Sequence, residues 1–171
     1  MKSTGIVRRI DDLGRIVIPK EIRRNLHIKD NEEIEFFIEN EQIVLKKFSR
    51  IFCLEDISNK IISIVNELTN KIVLIGDKEK FIYGSGLNYK EYLGKSISKG
   101  LEEVFSTRQL VCADGMLGYP IISYGDIIGL VVLVGEKSKH DIDIIKLVAQ
   151  FLGKYVETDY KKAIKYYELA A

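Results

Sequence analysis

Ile16, Val17 and Ile18 stand side by side in a segment that also carries Ile6, Val7 and Ile10. Successive side chains of a strand point to opposite faces, so three apolar neighbours leave both faces needing cover. The first 50 residues supply little cover of their own. They predict a strand at 4–10, a turn at 11–14, a strand at 15–19, one short helix behind Pro19, and a hairpin of 34–39 with 42–47 around Asn40-Glu41. A chain this short buries too little apolar surface to offset its conformational entropy. The pattern therefore implies two copies interleaved into one dimeric core, with no stable monomer of this segment.

The same segment is rich in arginine. Five of the seven arginines in the 171-residue chain lie within residues 8–24, namely Arg8, Arg9, Arg15, Arg23 and Arg24. Residues 1–29 hold eight basic groups against three acidic ones, whereas residues 30–45 hold six acidic groups and no basic one. The net charge of +1 hides this asymmetry, which suits one face meant for a polyanion and another that repels it. On a rigid dimer the guanidinium groups would stand at fixed separations. Their bidentate geometry and permanent charge fit phosphate oxygens and guanine edges, and Lys20 adds a less directional charge. The acidic run at 30–45 is expected to lie away from the nucleic acid.

Composition changes near residue 50, since eleven of the thirteen glycines follow it. The reading is two domains, 1–50 and 55–171, joined by a short connection and not a disordered linker. The second opens with a helix at 55–69, on which Ile57, Ile61, Ile64 and Leu68 make one stripe and Ile62 with Val65 begin another. A hairpin of 71–77 and 80–86 follows, then short helices near 89–94 and 96–105, and strands at 109–113, 117–124 and 126–135. The last two strands are expected to join at Gly125-Asp126. A helix at about 139–165 closes the chain, with Ile142, Ile145, Val148, Leu152 and Tyr155 on one side. This order describes an α+β domain, an antiparallel sheet with helices packed on it. Both end helices carry more than one apolar stripe, as helices do that pack on the sheet and also on a second subunit.

At this point the sequence resembles a known family. TGIVRRIDDLGRIVIPKEIRRNLHI, residues 4–28, looks like the DNA-binding domain of the AbrB and SpoVT transition-state regulators of spore-forming bacteria. The resemblance implies a swapped-hairpin β-barrel dimer that binds double-stranded DNA, with Arg8, Arg15, Arg23 and Arg24 as contacts and Arg9 and Lys20 as auxiliary candidates. EYLGKSIS at 91–98 and PIISYGDIIGLVVLVG at 120–135 are similar to the GAF-like domain of the SpoVT-type members. That similarity implies a homotetramer, a dimer of dimers joined through the GAF-like domains, that regulates sporulation genes. The alternative is an antitoxin-like DNA-binding protein whose C-terminal region captures a protein partner. A folded second domain in place of a flexible acidic tail counts against it.

The remaining constellations carry less. GAF-like folds hold small molecules between the sheet and the helices crossing it, so Tyr83, Tyr89, Tyr92 and Tyr119 are candidates to line a site for an unknown ligand. A ligand-free dimerisation module is the rival. His27 and His140 stand near no nucleophile or ligand set, and YGSG at 83–86 lacks the phosphate-loop pattern. Cys53 and Cys112 have no metal-ligand spacing, and Cys112 reads as a buried structural thiol. No enzyme, metal or cofactor is expected. The apolar run at 127–135 is too short to cross a membrane, and with no signal peptide recognised the setting is expected to be cytoplasmic.

Overall fold

The computed structural model describes residues 4–30 and 33–170, with side chains for all of these except Cys53 and 159–170. Lys2 and Glu32 of the charge census therefore lie outside the described residues. The chain divides into two compact units, Met1–Phe48 and Ser49–Ala171.

In the first unit, helix α1 spans Lys20–Asn25 and strands β1 (Ile34–Glu39) and β2 (Gln42–Lys47) pair antiparallel. Asn40 and Glu41, both at positive φ (48° and 61°), make the two-residue hairpin turn that matches the twist of its strands. Residues 4–10 and 15–19, expected as strands, have no regular secondary structure in the single chain. A strand exists only where another strand takes up its N–H and C=O groups. Their side chains lie open as well: Val7 is 83 %, Ile10 65 % and Val17 73 % exposed. On the hairpin Phe36, Ile38 and Ile43 are exposed too.

The second unit contains a five-stranded antiparallel sheet with helices on both faces. A 3-10 turn, Phe52–Leu54, leads into α2, Glu55–Thr69. Glu55 and Asp56 suit the helix N-terminus, and Asn70 ends the helix in the left-handed conformation. Strands β3 (Ile72–Gly76), β4 (Phe81–Ser85), β5 (Val111–Ala113), β6 (Met116–Ser123) and β7 (Asp126–Val134) lie in the order β4-β3-β7-β6-β5. Between β4 and β5 come a 3-10 turn at Tyr89–Glu91 and α3, Lys99–Thr107, capped by Ser98. The β6–β7 loop is Tyr124-Gly125, one residue earlier than expected, with Ser123 opposite Asp126. Asp114-Gly115 makes the equivalent turn between β5 and β6.

Two cores result. On one face Ile62 and Val65 of α2 and Ile145, Val148, Leu152 and Val156 of α4 (Lys139–Ala170) cover Val73, Ile75, Leu117, Ile121, Val131 and Leu133. On the other, Leu101 and Val104 of α3 cover Leu74, Leu130 and Val132. The strand β7 feeds both. Gly153 brings α4 against β6, because a Cβ there would stand 2.1 Å from the carbonyl oxygen of Ile122. The α2 stripe divides otherwise than expected: Ile62 and Val65 are buried, while Ile64 and Leu68 are 52 % and 73 % exposed. The helix α4 runs on through the final segment to Ala170.

Candidate nucleic-acid interface

Arg15, Arg23 and Arg24 are set by local chemistry. Pro19 begins α1 with its φ at −57°, and the helix stops after one and a half turns at a left-handed residue, His27 (φ 52°). The N–H of Ile28 donates to Arg23 O at 2.8 Å and that of His27 to Arg24 O at 3.2 Å. This double bond pattern satisfies the last carbonyls of the helix, which gives His27 a backbone role. Arg23 and Arg24 thus occupy a sharply terminated last turn.

The turn ahead of α1 is organised by Asp11. Its backbone N–H donates to Arg15 O at 3.0 Å, and its own carbonyl accepts from Gly14 at 2.9 Å. The carboxylate does more. Oδ1 accepts the N–H groups of Leu13 (3.0 Å) and Arg15 (2.8 Å), and Oδ2 accepts Nε of Arg15 at 2.8 Å. The Arg15 backbone and side-chain bonds, in that order, hold the Asp11 carboxyl below its ordinary pKa. Gly14, at φ 76°, supplies the left-handed residue that the turn needs.

Arg8, Arg9, Arg15, Lys20 and Arg24 are exposed. Arg8 donates from Nη1 to the neighbouring Val7 carbonyl at 3.0 Å. Arg23 is half-buried, with Nη1 bonded to Asp30 Oδ1 at 3.1 Å and Nε buried without a partner among the described residues. The acidic run is therefore not wholly apart from the basic segment, because its first member braces an arginine. Asp11 and Asp30, counted above only as charges, are the carboxylates that pair with two of the candidate arginines. An aspartate four residues before an arginine, across a glycine, was the available signal for the first.

The four tyrosines do not meet. Tyr83 and Tyr119 pack in the core under α2 and α4, with Tyr83 Oη donating to Phe52 O at 3.4 Å. Tyr89 and Tyr92 pack on the opposite side of the sheet, under α3. A bulge, the register passing from Ile75↔Tyr83 to Gly76↔Phe81, leaves Ile82 unpaired and turns Phe81 and Tyr83 to opposite faces. Tyr83 and Tyr119 thus belong to one core cluster and Tyr89 and Tyr92 to the other. Tyr89 lies over Gly84, where a Cβ would stand 2.7 Å from its ring, and Phe81 meets Tyr92 edge to face with centroids 6.4 Å apart. Cys112 also departs from expectation. It is exposed, because β5 is the sheet's edge strand. Among the described residues no three or more His, Cys, Asp or Glu side chains are grouped to hold a metal ion, and no helix is long and apolar enough to cross a membrane.

Comparisons with known proteins bear on each part. Residues 7–50 match the family model described as antidote-toxin recognition MazE, bacterial antitoxin. Over 48 residues, 28 % of this chain, the sequence is 54 % identical to the transition state regulatory protein AbrB of Bacillus subtilis, of which it spans 50 %. The second unit shares its fold with the GAF domain of an Acinetobacter phosphoenolpyruvate-protein phosphotransferase, at a TM-score of 0.50 and 13 % identity over 68 % of this chain and 87 % of that one. An AbrB-like segment followed by an α+β domain of GAF fold defines a two-part class of protein. Residues 53–157 match the model described as stage V sporulation protein T C-terminal, transcription factor. The chain is also 37 % identical to the stage V sporulation protein T of Bacillus subtilis across 92 % of its own length and 99 % of that protein's. It belongs to the stage V sporulation protein T family of transcription factors.

Proposed function

We propose that the protein is a DNA-binding transcriptional regulator of sporulation genes that acts as a dimer of dimers through its N-terminal arginines. It works by binding and not by catalysis. Family membership carries the regulatory reading, and the 54 % identity to AbrB over 48 residues supports DNA as the target. The residues that make the contact are Arg8, Arg15, Arg23 and Arg24, with Arg9 and Lys20 adding charge. Phosphate attraction supplies most of the affinity, and a guanidinium fork on a base edge supplies preference.

The exposed apolar side chains support the assembly. Val7, Ile10, Val17 and Ile38 are at least 65 % exposed in one chain, and a second copy interleaving its own 4–19 segment covers them. Leu147, Phe151 and Tyr155 form a second open stripe on α4 and would join dimer to dimer. Residues 1–50 and 55–171 are thus DNA-binding and oligomerisation domains. A small-molecule site in the second domain would draw on Tyr89 and Tyr92 on the α3 side or on Tyr83 and Tyr119 under the helices of the other face.

The MazE match over residues 7–50 favours an antitoxin reading for the N-terminal part. The folded sheet that follows, in place of a peptide tail for a toxin, favours the regulator. Selecting duplexes from a random pool with the full chain tests the function. Enrichment of a shared sequence, bound by a tetramer in native mass measurement, is the expected result; no enrichment removes the reading.

A further inference from the structure

We propose that Asp11 is a positioning residue that makes Arg15 the base-reading arginine of the interface, set end-on for a guanine edge and away from phosphate duty. The proposal rests on the DNA-binding reading above and deepens it.

A guanidinium has two bonding edges, one formed by Nε with a terminal nitrogen and one by the two terminal nitrogens together. Asp11 occupies Nε of Arg15 at 2.8 Å, so the end fork of Nη1 and Nη2 is left for a second acceptor pair. Guanine O6 and N7 are such a pair in the major groove. The brace is itself braced. The same carboxylate accepts the backbone N–H groups of Leu13 and Arg15, and the Asp11 and Arg15 main chains are bonded to each other, so both ends of the ion pair belong to one closed turn. A side chain held this way gives up little further rotamer freedom on binding.

The charge argument points the same way. A carboxylate in contact with a guanidinium cancels much of the field that a phosphate would feel at a distance, yet leaves the donors of the fork in place for a short-range match. The pair therefore loses attraction for the sequence-blind backbone and keeps its geometry for a base. The other arginines are differently made. Arg8 bonds only its neighbour's carbonyl among the described residues, and Arg23, though paired with Asp30, has Nη1 occupied and Nε buried. Neither offers an intact, braced fork. Arg15, with its side chain 71 % exposed, does.

The test compares full-length wild type with Asp11→Asn, whose amide oxygen still accepts the two backbone N–H groups while the ion pair is lost. Binding is titrated against a duplex selected by the wild type and against its scrambled counterpart, at several salt concentrations, with thermal melting as a check on folding. Asp11→Asn is expected to reduce the selected-to-scrambled affinity ratio about tenfold, the scale of one base contact, and to raise affinity for the scrambled duplex because a negative charge is gone. In an Arg15→Lys background the same substitution should leave the ratio unchanged, since lysine has no fork to position. An unchanged ratio in the single variant overturns the proposal. So does an equal loss on both duplexes, which would mark Asp11 as merely structural. If the wild type enriches no sequence at all, it is the DNA-binding reading that fails, and the proposal with it.

Discussion

Lys71 and Asp141 are bonded where the sheet meets the last helix, with Asp141 only 4 % exposed. Lys71 stands immediately before β3 and also donates to the carbonyl of Glu136; the Ser138 N–H donates to the same Asp141 carboxylate at 2.6 Å. Burial by itself pushes the carboxyl up, but the bonds from Lys71 and Ser138 outweigh it and leave the group below its ordinary value of 3.8. A carboxyl lowered in the folded state stabilises at pH above the unfolded value and loses that contribution as pH falls through the folded one. Acid melting should therefore show a loss below about pH 4 that Asp141→Asn lacks. Lys71→Met, which strands the carboxylate, should cost about 2 to 3 kcal/mol at neutral pH in denaturant titration.

Removing the arginines should affect affinity and leave stability alone. Arg15→Ala and Arg23→Ala are each expected to weaken binding by about 1 to 3 kcal/mol with the melting temperature nearly unchanged, because both ion pairs are partly or largely exposed. With about eight phosphate contacts from Arg8, Arg9, Arg23 and Arg24 of the two chains of a dimer, log K should fall against log salt with a slope of about −7. A slope near zero would contradict phosphate binding altogether.

Ile38 separates a dimeric core from a monomeric surface. It is 84 % exposed in one chain, where Ile38→Asp would be almost neutral. Buried against a second copy, the same aspartate has no partner for its charge, and both dimer formation and DNA binding should be lost. Sedimentation and duplex titration on the variant decide.

Leu147→Glu combined with Phe151→Glu addresses the proposed joining of dimer to dimer. The two side chains stand one turn apart on α4, 68 % and 42 % exposed. The pair of substitutions should convert a tetramer into dimers while each dimer still binds a half-site. Native mass measurement with and without duplex reports both.

Gly153→Ala probes the sheet–helix contact. Its Cβ would stand 2.1 Å from the Ile122 carbonyl oxygen, which is backbone and cannot swing aside. We expect a loss of about 3 kcal/mol in thermal or denaturant unfolding, without loss of the helix itself.

The second unit was the more legible of the two. The α2 pattern gave its limits because a helix of four turns repeats its apolar face often enough to register. The bulge at Ile82 was invisible, since pairing with β3 creates it and no residue of β4 announces it. Cys112 was misjudged because an apolar strand looks alike at the edge and in the middle of a sheet. The Asp114-Gly115 turn carries in its dipeptide the ordinary signal of a two-residue hairpin loop. In the first unit the β-branched pattern at 4–19 records what those side chains require; it does not record which chain meets the requirement. The arginine positions were readable from composition, but their aspartate braces depend on a fold-back of the chain that charge counting cannot see.

Strand β7 presents Leu130 and Val132 to the α3 side and Val131 and Leu133 to the α4 side. Alternate side chains of one ribbon are thus walls of two different rooms. A change of side-chain size anywhere along β7 presses on a partition that both rooms share.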